Sequence, residues 1–221
     1  MDVYEAVDSR RAVRAFSDKP VPKEVLERVL GAATRAPSGG NLQPWRLFAV
    51  GGEPLAELKR RTTARALAGD PGDEPEYPMI PAGLASPYRD RYSAAAAQRY
   101  QALGIERGDA DRGRKIVTMN SAAFGAPLVL YCYVDRAMGT GQWGDAGMYL
   151  QTVMLLLRAE GLHSCPQAMW TVYRKTVSEL VGADDGLVLF CGMAVGFEKP
   201  GVPPLRTGRA DLAEIVSFIG V

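Results

Sequence analysis

One segment joins a helical pattern to a strand pattern, and it reads, over residues 35–48, Arg35-Ala36-Pro37-Ser38-Gly39-Gly40-Asn41-Leu42-Gln43-Pro44-Trp45-Arg46-Leu47-Phe48. Before it, apolar residues recur at helical spacing from Val25 to Ala33, and Pro37 ends that helix because proline lacks the backbone N–H. Small polar residues follow, and residues 46–50 have the pattern of a strand. The segment therefore predicts a loop where a helix meets a strand.

Outward from this loop, helical and strand patterns mix irregularly along the 221 residues. Helices are predicted over 3–7, 54–68, 93–103, 110–124, 145–160 and 172–181, and strands over 128–134, 162–169, 187–195 and, in the tail, 215–219. No regular strand–helix–strand rhythm connects them, which favours a three-layer α+β fold over a doubly wound one. Because composition separates no two halves, we expect a single domain over residues 1–221.

Residues 69–92 interrupt this regular pattern. They contain five prolines and three glycines, too many for regular structure, and the segment is long for a simple connection. Loops of this kind tend to cover binding sites. We therefore predict a lid over residues 69–92, whose Met79, Ile80, Tyr88 and Tyr92 could offer apolar contact to a ligand.

Charge and hydropathy exclude several classes of partner. Lys and Arg total 26 against 25 Asp and Glu, so no overall charge attracts nucleic acid or an anionic membrane. The longest apolar runs, 128–134, 153–157 and 187–197, fall short of the roughly 18 residues that span a bilayer. The acidic start, Met1 to Glu5, does not resemble a signal peptide. We expect a cytoplasmic protein.

The cysteines and the histidine argue against disulfides and metal chemistry. Cys132, Cys165 and Cys191 are odd in number and widely spaced, as expected of reduced core thiols. His163 is the single histidine, which leaves no zinc-like spacing. His163 and Cys165 would share one face of a strand, so the pair is either a thiol and imidazole couple or ordinary packing.

Five arginines stand near the two ends of the chain. Arg10, Arg11 and Arg14 lie in the block Arg10 to Phe16, and Arg206 and Arg209 lie in the tail. Short basic runs are usually solvated surface. The alternative is that all five guanidiniums meet at one phosphate.

Both blocks, residues 10–16 and 35–48, closely resemble the nitroreductase family, in which an arginine-rich start and an Ala-Pro-Ser-Gly-x-Asn-x-Gln-Pro-Trp loop bind FMN. The likeness continues through Phe124-Gly125-Ala126-Pro127, Asp145-Ala146-Gly147-Met148, Gly161-Leu162-His163-Ser164-Cys165-Pro166-Gln167 and Cys191-Gly192-Met193-Ala194-Val195-Gly196-Phe197, and so covers nearly the whole chain. It looks closest to bacterial nitroaromatic reductases, although Ser164 replaces their usual threonine.

The resemblance implies a set of cofactor contacts. Arg10, Arg11 and Arg209, helped by Arg206, would hold the FMN phosphate, and Arg14 would face N1 and O2 of the flavin ring. The remaining implied contacts are Pro37, Ser38, Gly39, Asn41 and Gln43 on the ribityl and pyrimidine side, Asn120, which is alternatively an ordinary helix residue, and Cys165, Pro166 and Gln167 near N5 and O4.

The resemblance also implies the reaction. The family's mixed central sheet flanked by helices forms a homodimer, in which a C-terminal tail strand is exchanged and the substrate slot lies at the subunit seam. FMN takes hydride from NAD(P)H at N5 and passes it to a small acceptor such as a nitroaromatic or quinone. No side chain is required as a catalytic base or nucleophile, so Arg14 serves only to stabilise charge on the ring.

Two alternatives remain open from the sequence. One is a specialised flavoenzyme on the same fold, either a reductive dehalogenase or a flavin-destroying enzyme. Family dehalogenases use an acid, a tyrosine and a lysine on the lid, whereas residues 69–92 hold Glu74, Glu76 and Tyr77 but no lysine. The other is a flavin-storage protein without turnover, because FMN contacts alone do not show that a nicotinamide can dock.

Overall fold

The computed structural model describes residues 1–106 and 108–221. Its sheet has four strands, β1 (Trp45–Gly51), β2 (Leu128–Asp135), β3 (His163–Gln167) and β4 (Leu187–Gly196), in the spatial order β1-β2-β4-β3. Strands β2 and β4 are central, and β1 and β3 form the two edges. The described helices are α1 (Val3–Ser9), α2 (Lys23–Ala33), α3 (Gly52–Leu67), α4 (Tyr88–Ala102), α5 (Arg112–Ser121), α6 (Thr140–Ala159), α7 (Arg174–Val181) and α8 (Leu212–Ile215).

Strand β2 shows why the protein has three layers. Its residues alternate between two cores, with Val129, Tyr131 and Tyr133 on one face of the sheet and Leu130 and Cys132 on the other. The first core takes side chains from α3 and α7, and the second takes them from α2 and α6. Helices therefore cover both faces of the sheet, and the expected three-layer α+β fold is confirmed.

Strand direction differs from the expected mixed sheet. All three strand pairs are antiparallel, and the parallel pairing is confined to an isolated bridge between Ala12 and Ser164. Apolar patterning marks buried strands without specifying which neighbour each strand pairs with, so direction is decided only by the packed structure.

Several boundaries also differ from the sequence-based expectations. Helix α6 begins at Thr140, five residues before the predicted start at Asp145. In the tail, the expected strand over 215–219 is not formed within one chain: α8 ends at Ile215, and Ile219 is 89% exposed. An apolar strand pattern needs a partner edge, and nothing in the described residues of this chain provides one there.

The predicted lid over residues 69–92 divides into three parts. Asp73 pairs with Arg65 of α3 at 3.0 Å, and the Tyr77 hydroxyl donates to the Phe190 carbonyl, so the first part is attached to the body. From residue 88 the chain is already helix α4. Residues 78–87 are exposed apart from the half-buried Leu84, so only this middle part has the character of a free loop.

The described residues contain neither a membrane-spanning helix nor a cluster of metal ligands. Across residues 1–106 and 108–221, no helix is both long and apolar enough to cross a membrane. The same residues contain no group of three or more metal-binding side chains placed to hold an ion. The three cysteines are free thiols, and all three are buried.

Candidate functional site

The N-terminal arginines lie along the open edge of the sheet. After α1, the Val13 amide donates to the Ser164 carbonyl at 3.1 Å, and the Phe16 amide donates to the Phe124 carbonyl at 3.0 Å. Val13 and Phe16 are buried in the core, which fixes the segment against β3. Because alternate residues of an extended chain point to opposite sides, Arg10 and Arg14 can share the side away from Val13.

A cavity of about 700 Å³ brings together the arginines from both ends of the chain. Tyr4 and Val7 of α1 and Gln151 of α6 form part of its wall, and the tail contributes Thr207. All five arginines that the sequence predicts to contact the FMN phosphate or the flavin ring also lie in this wall: Arg10, Arg11, Arg14, Arg206 and Arg209. Folding therefore joins two basic segments that lie almost 200 positions apart in the sequence.

The five arginines differ in whether a carboxylate neutralises their charge. Arg11 forms an ion pair with Glu198, and Arg206 pairs with Asp8, whose carboxylate lies 3.3 Å away. Among residues 1–106 and 108–221, no carboxylate pairs with Arg10, Arg14 or Arg209.

Arg10 and Arg209 repel each other across the cavity. Burial lowers the pKa of Arg10, and the positive charge of Arg209 lowers it further. Two like charges at a partly buried position are stabilised when an anion binds between them. A phosphate group fits this arrangement, since arginine donates paired N–H groups to phosphate oxygens. The residues present therefore suit the phosphate of FMN.

Strand β3 presents a narrow apolar edge beside Arg14. Pro166 is exposed, whereas Cys165 and Gln167 on either side of it are buried. Burial raises the pKa of the Cys165 thiol to about 11, although the guanidiniums of Arg14 and Arg99 act in the opposite direction. Cys165 is therefore a protonated thiol at neutral pH, and Arg14 and Arg99 both lie near it.

The reading of His163 and Cys165 as a reactive couple is wrong. The His163 Nε2 atom lies 3.2 Å from Arg158 and 3.8 Å from Glu198, and the described hydrogen bonds do not join it to the thiol. Burial lowers the pKa of His163 to about 4, with a further contribution from Arg158. The bond of Cys165 is to the neighbouring Pro166 carbonyl, at 3.8 Å. Ordinary packing is the correct interpretation.

Asn120 and Gln167 form one internal network. The Gln167 amide Nε2 donates to the Asn120 carbonyl at 3.0 Å and to its side-chain Oδ1 at 3.1 Å. The Gln167 Oε1 accepts from the Trp170 indole at 3.1 Å. The Gln167 side chain thus turns inward, and the backbone at Pro166 and Gln167 is what remains for a ligand. The Asn120 side chain also donates its Nδ2 to the Ile116 carbonyl at 2.8 Å, so both of its polar groups have partners within the protein, and a contact of Asn120 with the cofactor stays a prediction.

The loop over residues 37–43 is exposed and strongly shaped. The backbone N–H of Gln43 donates to the Ser38 hydroxyl at 3.0 Å, and Asn41 and Gln43 have φ values of 57° and 49°. Positive φ is uncommon outside glycine and concentrates at binding sites. The Gly39 amide donates to the buried carboxylate of Asp145 at 3.1 Å, which holds the loop to α6.

Within one chain, this loop and the arginine cavity lie on different sides of α6. Asp145 holds the loop, and Gln151, six residues later, lines the cavity. Six helical residues correspond to roughly 9 Å along the axis and about 120° around it. The loop and the cavity wall therefore meet α6 at different positions along and around the helix.

Three residues that shape the site were missed from the sequence. Asp145 had a visible signal, because a lone carboxylate in an apolar helix requires a partner. Glu198 and Arg99 had none, since each is an ordinary charged residue until the fold brings it to Arg11 or Cys165.

Known proteins match this chain over nearly its whole length. The family model described as Nitroreductase family matches residues 7–197. A 4-nitrobenzoate reductase from Pseudomonas putida is 34% identical, with 99% of this chain and 96% of that protein covered. A nitrobenzene nitroreductase from Ectopseudomonas oleovorans is 30% identical, with 98% and 96% covered. The crystal structure of the FMN and NADPH-dependent nitroreductase NfnB from sphigopyxis sp. strain HMH is 41% identical, with a TM-score of 0.95 and 100% of both chains covered.

In this three-layer fold, the cavity that brings Arg10 and Arg209 together has the charge to suit an anionic group such as a phosphate. Matches that span almost every residue confirm the resemblance seen in the sequence. The chain belongs to the nitroreductase family.

Proposed function

We propose that this protein is an FMN-dependent oxidoreductase that uses NAD(P)H to reduce nitroaromatic compounds, with quinones as a further acceptor class. The observation that carries the proposal is the pair of uncompensated guanidiniums, Arg10 and Arg209, in a cavity beside the exposed edge of β3. The names of the relatives support the cofactor and the acceptor class, since NfnB uses FMN and NADPH and the curated relatives reduce nitrobenzene and 4-nitrobenzoate.

Each arginine has its own task in this proposal. Arg10 and Arg209 bind the phosphate directly, because they have no competing carboxylate within the described residues. Arg11 forms an ion pair with Glu198, and Arg206 forms one with Asp8, so these two arginines attract the phosphate less strongly. Arg14 lies further along the same extended segment, where its charge faces the ring.

In this proposal the flavin ring lies against the edge of β3. Proline at 166 offers no N–H there and holds a fixed φ, so a flat ring would meet an apolar surface whose local backbone conformation is fixed. When bound, FMN supplies the hydride chemistry at its N5 atom. The side chains of this chain orient the cofactor and stabilise negative charge near Arg14, and the protonated Cys165 positions the strand.

A homodimer completes the site in this proposal. The second copy supplies the Pro37 to Gln43 loop, which one chain holds on another side of α6 from its own arginines. Apolar side chains that a partner would cover are exposed on α1, on α6 and in the tail: Val3, Tyr4, Val7, Met148, Ile215, Phe218, Ile219 and Val221. The tail strand expected over 215–219 would then pair with the partner subunit.

In this proposal residues 1–221 act as a single domain. The acceptor-side wall, which the sequence assigned to residues 69–92, is formed by the free loop 78–87 and the start of α4. Three buried free thiols support a cytoplasmic location, where cysteines stay reduced.

Anaerobic reduction tests the proposal directly. The purified yellow protein should lose its flavin absorbance at about 450 nm when NADPH or NADH is added, and nitrobenzene should restore it. Colour that persists with both nicotinamides would instead favour flavin storage. Denaturation should release one free FMN per chain, because the proposed site holds the cofactor by its phosphate and ring without a covalent link.

A further inference from the structure

One carboxylate, that of Glu198, lies among three basic side chains just after β4. Its Oε2 atom accepts a hydrogen bond from Arg11 and lies 3.8 Å from the His163 Nε2 atom. The same ring nitrogen lies 3.2 Å from a guanidinium nitrogen of Arg158. The side chains of Arg11, His163 and Glu198 are 17%, 14% and 23% exposed, so these groups interact largely out of water.

Arg11 connects this cluster to the proposed phosphate site. It lines both the small cavity that contains Glu198 and the cavity of about 700 Å³ that contains Arg10 and Arg209. Of these two cavities, Glu198 lines only the small one. A guanidinium carries N–H groups on three nitrogens, and the bond to Glu198 uses Nη2. A carboxylate in one cavity and a phosphate in the other would therefore compete for the same side chain.

Glu198 keeps basic neighbours if Arg11 turns to a phosphate. Burial lowers the pKa of Arg158 and the charge of Arg11 lowers it further, whereas the charge of Glu198 raises it. Movement of Arg11 toward an anion would relieve this repulsion and leave the carboxylate beside Arg158 and His163. A partly buried carboxylate is strongly destabilising only when it loses all its partners. The cluster can therefore release Arg11 without leaving an isolated charge.

His163 can take the place of Arg11 as the partner of the carboxylate. The described charged groups that act on its ring are Arg158 from α6, Glu198 after β4 and Arg11 from the N-terminal segment. Burial lowers the pKa of His163 to about 4, the two arginines lower it too, and Glu198 opposes them. If Arg11 no longer neutralised Glu198, the carboxylate would favour the protonated ring more strongly and the pKa of His163 would rise.

We propose that Glu198 is a positioning residue that holds Arg11 in the free protein and passes to His163 when the FMN phosphate takes Arg11. This inference rests on the proposed function, because it places the phosphate beside Arg10 and Arg209. No covalent bond changes in the exchange, and the proton that His163 gains comes from water. Glu198 thus weakens FMN binding by competing for Arg11, and it couples phosphate binding to protonation of the imidazole.

The single histidine of the chain gives a direct measurement of the exchange. In protein without a histidine tag, the proton NMR signal of the His163 Cε1–H reports protonation between pH 7 and 4.5. Saturation with FMN should move the titration midpoint upward by about one pH unit, which is a tenfold change in the proton affinity. Riboflavin has the same ring without the phosphate and should leave the midpoint unchanged. A midpoint that FMN does not move, or that riboflavin moves equally, overturns the proposal.

Affinity provides the second measurement. At neutral pH, Glu198→Gln should lower the FMN dissociation constant by about fivefold to tenfold, because Arg11 is then available to the phosphate. Glu160→Gln is the matched control, since it removes the same charge from an ion pair with Arg28 outside both cavities, and it should keep the wild-type constant. In an Arg11→Met background, Glu198→Gln should have little effect. Weaker binding in Glu198→Gln, or an equal gain in Glu160→Gln, contradicts the competition for Arg11.

Inorganic phosphate separates this inference from the proposed function. Phosphate alone should move the His163 midpoint in the same direction as FMN, and Glu198→Gln should lose this response to both ligands. If FMN does not bind but phosphate moves the midpoint, the proposed function fails and the exchange stands. If FMN binds and is reduced while the midpoint stays fixed, the exchange fails and the proposed function stands. If Glu198→Gln does not fold, the wild-type titrations with FMN, riboflavin and phosphate decide.

Discussion

Replacing Arg14 by methionine should make bound FMN harder to reduce. Reduction by two electrons leaves negative charge near N1 of the ring, and a fixed guanidinium there stabilises the reduced form more than the neutral oxidised form. In this protein the Arg14 charge is not neutralised by a described carboxylate, and the one side-chain hydrogen bond that it makes among the described residues is a long contact of 3.4 Å to the Ala12 carbonyl. Its full charge is therefore available to the ring.

The size of the effect follows from the loss of one charge-assisted hydrogen bond. Such a bond contributes about 1.5–3 kcal/mol, and a two-electron couple shifts by about 30 mV per 1.4 kcal/mol. Arg14→Met should thus lower the midpoint potential of bound FMN by roughly 30–65 mV. An anaerobic redox titration against a reference dye measures this shift.

Arg209→Met is the matched control, because it removes a guanidinium from the phosphate end of the same cavity. It should weaken FMN binding and leave the potential of the bound cofactor nearly unchanged. An unchanged potential in Arg14→Met, accompanied by lost FMN affinity, would refute the reasoning and place Arg14 at the phosphate.

Three further predictions concern binding, pH and assembly. Arg209→Met should raise the FMN dissociation constant by about 10- to 100-fold, as measured by fluorescence titration, and Arg206→Met, whose guanidinium Asp8 already engages, should raise it less. Because the pKa of His163 is lowered from 6.5 to about 4 in the folded protein, the unfolded chain binds the extra proton, so stability should be lost as pH falls from 6.5 toward 4. Urea unfolding should show that the free energy of unfolding falls by at most ~3 kcal/mol over this pH range, and a His163→Gln variant should lack this pH-dependent loss. Light scattering at micromolar concentration should give a dimer, and a monomer that still holds FMN would contradict the shared site.

Much of the fold could be read from local patterns. A continuous apolar run marks β2, helical spacing marks α2, and proline and glycine mark the loop after Ala36, because each depends on residues that are near neighbours in sequence. The pairing direction of the strands and the state of the tail were not readable in this way. Both depend on which edge a strand meets, and for residues 215–219 no such edge exists among the described residues of a single chain.

The candidate site shows the same division between local and long-range information. Residue types and their order suffice to indicate the family and to point to Arg10, Arg14 and Arg209 as cations for a flavin. Which guanidiniums keep an available charge is a property of the packed molecule alone. Arg11 loses its availability to Glu198, a residue 187 positions away, and Arg206 is engaged by Asp8, a residue 198 positions away. Electrostatic compensation acts over a few ångströms of space whatever the separation in sequence, so only the tertiary structure could distinguish these arginines.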